Sequence, residues 1–280
     1  MIYETIDLYD YFGVERKGAT GGILSVYTRS ELFELKPKLR PAVLVIPGGG
    51  YNMVSVREGE PVALAFLNAG YSAFLLTYTV KTRYPTPLGE ALMAMRFIRE
   101  NADKYCVDPE KVATIGFSAG GHLAGLVATA TKEEVNAAPC KKERSTRPNA
   151  VVLSYPVVTM GIETHGGTRD VISGKGEIPY DTLSIEKRVS KESAPAFIWH
   201  TFEDDCVPVE NSLLLASAYR SAGVPFSLHI FEKGWHGLSL CTAETHNQYE
   251  QDNELAYIGK WFSLALDWLS ARGFTVTVNE

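Results

Sequence analysis

Gly116-Phe117-Ser118-Ala119-Gly120 sets a serine between two glycines, at the junction of a β-branched run, Lys111-Val112-Ala113-Thr114-Ile115, and a helix-like run from Gly121 to Ala128. The first run predicts a strand and the second a buried helix. A strand that turns directly into a helix must bend sharply, and only small side chains on either side let the two elements pass so close. Gly116, Ala119, Gly120 and Gly121 meet that demand. Such a turn holds its serine exposed at the end of a strand, where the hydroxyl can act as a nucleophile. A plain glycine-rich turn has the same composition, but it does not require this strand and this helix.

A serine hydroxyl is a weak nucleophile until a base takes its proton, so the reading requires a histidine and a carboxylate elsewhere in the chain. Ala196-Phe197-Ile198-Trp199 predicts a strand, and the acidic loop Thr201-Phe202-Glu203-Asp204-Asp205-Cys206-Val207-Pro208 follows it. Phe226 to Phe231 predicts another strand, followed by the loop Glu232-Lys233-Gly234-Trp235-His236-Gly237. His236 is the expected base, because a glycine-rich loop after a strand lets an imidazole swing over the end of the sheet. His122 lies four residues after Ser118 on the same helix and is expected to pack beside the turn. His200 ends a strand and is expected to support the acid loop. His165, His229 and His246 carry nothing that singles them out. Asp204 and Asp205 are adjacent, so their side chains diverge and only one can orient the base. The other is a solvated loop acid or a cap for the helix beginning near Val209.

A place is also needed for the charge that develops on a carbonyl oxygen under attack. Ala42 to Ile46 predicts a buried strand, and Pro47-Gly48-Gly49-Gly50-Tyr51 follows it directly. Consecutive glycines expose backbone N–H groups with no side chain in the way. Gly49 and Gly50, with Ala119 after the nucleophile, are the expected donors of an oxyanion hole. A phosphate-binding turn is the competing reading, but no Lys-Ser/Thr follows and no Gly-x-Gly-x-x-Gly spacing occurs.

From residue 41 onward predicted strands and helices alternate. Leu64 to Gly70 reads as a helix end, Tyr71 to Thr77 as a strand, Leu88 to Lys104 as a helix and Val151 to Tyr155 as a strand. That pattern predicts an α/β fold: a mostly parallel central sheet with helices on both faces and ligands at the strands' C-terminal ends. Gly21 to Tyr27 is expected in an early antiparallel pair, and Leu32 to Leu39 as a polar connector. One domain is expected across residues 1–280. Met160 to Lys191 is too long for a plain connection and predicts either a lid or pocket wall, or a surface excursion.

Taken together, these segments resemble the α/β-hydrolase superfamily, and within it the small bacterial carbohydrate esterases of the acetyl xylan esterase type. The likeness rests on Val45 to Tyr51, Tyr84-Pro85-Thr86-Pro87-Leu88, Val107-Asp108-Pro109, Gly116 to Leu123, Trp199 to Thr201, Val207 to Ser212 and Gly234 to Gly237. Hormone-sensitive-lipase-like esterases are related to it, but Pro47 stands where their His-Gly-Gly-Gly motif opens with histidine. The order Ser, Asp, His along the chain is that of the superfamily. Its pattern places the acid three residues before Val207-Pro208, which selects Asp204. The resemblance implies a serine esterase that removes short acyl groups from xylo-oligosaccharides or similar sugars. A carboxylesterase acting on non-sugar esters is the alternative. Less favoured are a peptidase, for which the chain lacks a propeller, and a ligand-binding protein that has lost its chemistry. Tyr51 and Trp235, near the expected mouth, are candidate sugar-stacking rings or core residues.

The chemistry so read needs no metal or organic cofactor, and its partner is a small-molecule acyl ester, such as an acetylated oligosaccharide. A net charge of -6 without a basic run argues against nucleic acid and anionic membranes as partners. No stretch is apolar enough to span a bilayer and the first residues lack a basic, apolar leader, so the expected location is cytoplasmic. Cys106, Cys140, Cys206 and Cys241 are widely spaced, which indicates neither a zinc site nor a disulfide framework. Cys206 reads as a packing residue. A homo-oligomer is compatible with all of this.

Overall fold

The computed structural model describes residues 1–30, 34, 38–139, 141, 144–246 and 253–278. Cys140 and most of the connector expected between Leu32 and Leu39 lie outside the described residues; Lys38 and Leu39 already belong to a strand. Nine strands are described: β1 (Ile2–Asp7), β2 (Ile23–Thr28), β3 (Lys38–Ile46), β4 (Ser72–Thr77), β5 (Val107–Phe117), β6 (Ala150–Ser154), β7 (Ala196–Thr201), β8 (Phe226–Phe231) and β9 (Thr277–Val278). Eight of them lie side by side in the order β1-β2-β4-β3-β5-β6-β7-β8, and β9 pairs with β3. From β4 to β8 every neighbouring pair is parallel, whereas β1, β2 and β4 are joined antiparallel. The early antiparallel pair is therefore a ribbon that extends one edge of a parallel sheet.

Strands of a parallel sheet are covered on both faces, so their sequences are continuously apolar. In β3 the residues Ala42 to Ile46 are all buried, and the alternation of the pleat splits them between two cores. Leu44 and Ile46 join one face with Leu92, Phe97 and Leu123, from the helices Thr86–Glu100 and Ala119–Ala128. Val43 and Val45 join the other with Phe66 and Trp261, from the helices Glu60–Asn68 and Lys260–Ser270. The expected α/β sheet with helices on both faces is the observed one. The helix expected over Leu88 to Lys104 starts two residues earlier, with a proline in its first turn, and stops at Glu100.

Met160 to Lys191 forms three short helices, Gly166–Ile172, Tyr180–Leu183 and Ile185–Arg188. Met160, Ile172, Leu183 and Ile185 are buried in the core, which a solvated excursion would not be. Ile185 lies against Gly125 of the Ala119–Ala128 helix, where a β-carbon would stand 3.1 Å from its side chain. None of the described helices is long and apolar enough to cross a membrane.

Two glycines carry the strand-to-helix turn. A β-carbon on Gly116 would collide with the backbone of Gly120, and one on Gly120 with the carbonyls of Ile46 and Pro47. Gly89, the fourth residue of the Thr86–Glu100 helix, has nothing within 4 Å of such an atom. Gly120→Ala is expected to destabilise the fold by about 3 kcal/mol or more, because rigid backbone cannot yield. Gly89→Ala should stabilise it by about 0.5–1 kcal/mol through helix propensity. Urea unfolding of the two variants checks both signs.

Candidate active site

Ser118 follows β5 with φ 52° and ψ −119°, a left-handed conformation that L-residues adopt only under constraint. Its N–H donates to the Ser154 carbonyl at 3.0 Å, and its own carbonyl accepts from His122 N–H at 3.0 Å and Val157 N–H at 3.1 Å. The turn is thus clamped from both sides, and the hydroxyl projects above the C-terminal ends of the parallel strands.

The two loops expected to supply the base and the acid converge there. Ser118 Oγ lies 2.8 Å from His236 Nε2, and His236 Nδ1 lies 2.7 Å from Asp204 Oδ2. An ionised carboxylate only accepts, so Nδ1 carries the hydrogen and Nε2 accepts from the serine hydroxyl. Asp204 Oδ1 receives the N–H groups of Cys206 at 3.0 Å and Val207 at 2.9 Å. Burial alone would raise the pKa of Asp204, but hydrogen bonds from His200, His236 and Val207 N–H, with the nearby charge of His236, hold it well below the usual carboxylate range. Asp205 is exposed to solvent. His200 is fully buried: its Nε2–H lies 2.9 Å from the Val207 carbonyl and 3.3 Å from Asp204 Oδ2, and its Nδ1 accepts from Ser212 Oγ at 2.8 Å.

In the glycine turn, Gly49 and Gly50 have φ of 117° and 64°. Gly48 N–H is already committed, donating to Glu58 Oε2 at 2.9 Å. No protein acceptor among the described residues takes the N–H of Gly49, Gly50 or Ala119. Ala119 opens the helix, where the first N–H groups have no intrahelical partner.

Glu58 was not legible as part of this site, because it stands in an ordinary polar run, Arg57-Glu58-Gly59-Glu60. It is 3% exposed and also accepts from Tyr155 Oη at 2.8 Å. Tyr155 Oη accepts from Ser239 N–H at 2.9 Å, and its ring meets the His236 imidazole edge-on at 5.1 Å. One buried carboxylate therefore ties the glycine turn to the loop that carries the histidine.

Two further expectations need correction. Tyr51 is fully buried, donates through Oη to His122 Nδ1 at 2.8 Å, and offers no face to a ligand. Of the two roles open to it, stacking ring or core residue, it takes the second, because the core closes over it. Trp235 is exposed, but it faces a separate cavity of about 180 Å³ beside Glu203 and Asp205, because its side chain diverges from that of His236, the next residue. His165, which looked unremarkable, lines the same cleft as Ser118 and His236. It caps the Gly166–Ile172 helix by accepting Thr168 N–H at Nδ1, leaving Nε2–H with no protein acceptor among the described residues. Burial first, and then the neighbouring His236, lower its pKa. His122 packs beside the turn as expected, donating from Nε2 to the Leu183 carbonyl at 2.8 Å. His229 stacks on Phe197, and His246 meets the Leu238 carbonyl.

The cleft over Ser118 has a volume of about 1110 Å³, slightly above the usual range for small-ligand sites. A cavity of similar size, about 1180 Å³, lies beyond Met53 over Glu90 and Met93, away from the serine. Among the described residues no group of three or more His, Cys, Asp or Glu is placed to hold a metal ion.

The sequence profile of the BD-FAE family matches residues 33–219, which include Ser118, Asp204 and the glycine turn. The chain belongs to the BD-FAE family. Among curated relatives, endo-1,4-beta-xylanase B of Butyrivibrio fibrisolvens is 42% identical over 214 residues, covering 73% of this chain and 33% of that protein. An acetylxylan esterase of Xylanibacter ruminicola is 31% identical, covering 79% and 45%. The chain thus spans less than half the length of either. Of solved structures, the acetyl ester-xyloside bifunctional hydrolase from Caldicellulosiruptor lactoaceticus superposes with a TM-score of 0.81 at 34% identity, over 97% of both chains. The carboxylesterase Cest-2923 from Lactobacillus plantarum gives 0.82 at 26% identity, covering 98% of this chain and 99% of its own. The family and fold agree with the α/β-hydrolase esterase resemblance drawn from the motifs.

Burial pushes the His122 pKa down from 6.5 to about 4, so the folded chain refuses a proton that the unfolded chain binds below 6.5. Between those two values stability should fall with falling pH, by about 1.4 kcal/mol per unit from this group. His122→Gln, which has no such proton, should be less stable at pH 7 yet lose less between pH 6.5 and 5 in urea titrations. Equal losses in the two proteins would show that His122 is not the group refusing the proton.

Proposed function

We propose that this chain is a serine esterase that removes short acyl groups, acetate foremost, from hydroxyls of xylo-oligosaccharides. The observation that carries the reading is the hydrogen-bonded series Ser118–His236–Asp204, set opposite three backbone N–H groups that no protein acceptor takes among the described residues. Ser118 Oγ attacks the ester carbonyl carbon while His236 Nε2 takes the hydroxyl proton. Asp204, kept ionised, holds the imidazole tautomer and stabilises the imidazolium. The oxyanion forms against the N–H groups of Gly49, Gly50 and Ala119, which are already oriented before the reaction begins. Collapse breaks the bond to the alkoxy oxygen, which leaves with the proton from His236. Water, deprotonated by His236, then attacks the acyl-enzyme and releases the carboxylic acid.

This geometry supports acyl transfer to water, and the relatives support the acetylated sugar. The Xylanibacter ruminicola protein is named an acetylxylan esterase and the Caldicellulosiruptor lactoaceticus protein an acetyl ester-xyloside bifunctional hydrolase. Their activity is carried to this chain as part of the proposal. A cleft of about 1110 Å³ suits an alcohol much larger than the acyl group. The segment from Met160 to Lys191 acts as a fixed wall of that cleft, with His165 offering Nε2–H to the substrate. A cytoplasmic site acting on imported oligosaccharides is consistent with Cys206 and Cys241 both being free thiols.

Ser118→Ala should lower kcat by on the order of 10⁴ to 10⁶ while the circular dichroism spectrum stays that of the wild type. Asp204→Asn should lower kcat by about 10⁴, because the imidazole is then held in the wrong tautomer. Asp205→Asn should behave as wild type. The assay is release of p-nitrophenol from p-nitrophenyl acetate, beside release of acetate from acetylated xylo-oligosaccharides. Ser118-dependent turnover of the synthetic ester alone would leave a carboxylesterase whose alcohol is not a sugar. Activity surviving Ser118→Ala would remove the nucleophile assignment.

A further inference from the structure

The cleft does not end at the serine. It continues past Arg57 to the antiparallel ribbon, where Tyr3 of β1 and Tyr27 of β2 form part of its wall together with Glu60. Tyr3 and Tyr27 are directly opposite in the β1–β2 register, and their ring centroids are 5.1 Å apart. The two rings differ sharply in exposure: Tyr27 is 4% exposed and Tyr3 56%. Tyr27 Oη also donates to Glu60 Oε1 at 3.2 Å. A buried tyrosine thus holds two groups in place at once, an aromatic ring beside it and a carboxylate at the start of the Glu60–Asn68 helix. Arg57, between this end and His236, forms no ion pair among the described residues, and its guanidinium packs against Gly237, where a β-carbon would collide with it.

A pyranose ring has one apolar face of C–H groups and a rim of hydroxyls. It is matched by an exposed aromatic ring flanked by a carboxylate that accepts and a guanidinium that donates. We propose that Tyr3, with Glu60 and Arg57, forms a distal subsite that takes a sugar ring of the oligosaccharide remote from the acyl group being cleaved. This inference rests on the sugar-ester reading and says where the sugar is recognised. It moves the stacking surface from Tyr51 and Trp235, neither of which faces the cleft, to the far edge of the sheet.

Four strand spacings separate β5, which carries Ser118, from β1, which carries Tyr3, a lateral distance of about 19 Å. One ring cannot bridge that distance, so the subsite engages only substrates several rings long. Length dependence is therefore the signature that separates binding from a structural role.

The experiment compares wild type, Tyr3→Ala and Tyr3→Trp on p-nitrophenyl acetate, acetylated xylobiose and acetylated xylohexaose. Tyr3→Ala is expected to raise KM for the hexaose about three- to tenfold, the loss of one stacked ring, with kcat unchanged. The other two substrates should show wild-type constants, and Tyr3→Trp should restore the hexaose KM. Glu60→Gln should move KM in the same substrate-selective way. If Tyr3→Ala lowers activity on all three substrates equally, or leaves the hexaose unaffected, the distal subsite is wrong while the esterase reading stands. If wild type cleaves p-nitrophenyl acetate and neither sugar ester, the sugar reading fails and this subsite falls with it.

Discussion

Ser118 sits in a backbone conformation that costs on the order of 1–3 kcal/mol, and the surrounding structure must impose it. Everything near the site is arranged around that imposition. Gly116 and Gly120 let the strand and helix touch, and Ile46 and Pro47 lie directly against Gly120, so the strand carrying the glycine turn abuts the serine turn itself. The turn that exposes the hydroxyl and the turn that exposes the N–H groups are therefore one packed unit. A side chain added at their contact would separate the proposed nucleophile from the proposed oxyanion donors.

Buried polar groups extend this unit sideways. Glu58 joins Gly48 to Tyr155, Tyr155 joins Ser239 and packs on His236, and Asp204 joins His236 to His200 and to its own loop. Each member is satisfied by the next, which is the condition under which buried polar groups rigidify a site instead of weakening it. The result is an imidazole held by a carboxylate on one side and an aromatic ring on another, with its remaining nitrogen free to face the serine.

Metabolic specificity in such a scaffold comes from what surrounds this rigid centre. The Met160 to Lys191 segment packs Met160, Ile172, Leu183 and Ile185 on the core and turns His165 toward the cleft. On the opposite side, the antiparallel ribbon carries the cleft outward to Tyr3. One wall is a short-helix insertion between β6 and β7 and the other is an edge added before β3, so the two can vary while the centre stays intact.

The sheet, its two cores and the meeting of Ser118 with the acid and histidine loops were legible because each is written in a local pattern. Continuous apolar runs mean doubly covered strands, glycines at a strand-helix junction mean a tight turn, and loops after parallel strands gather at one end of the sheet. Choosing Asp204 over Asp205 drew on the family pattern, and the structure places Asp204 against His236 and Asp205 in solvent. Glu58, His165, Tyr3 and the true orientation of Tyr51 and Trp235 had no such pattern. Their positions depend on which residues distant in the chain pack beside them, such as Tyr155 for Glu58 and His122 for Tyr51. The sequence by itself determined the fold class, the serine and histidine of the proposed chemistry and the loop that holds the acid, since backbone periodicity and glycine placement are local properties. Only the tertiary structure decided the shape of the cleft and what lines it, because exposure is set by long-range packing.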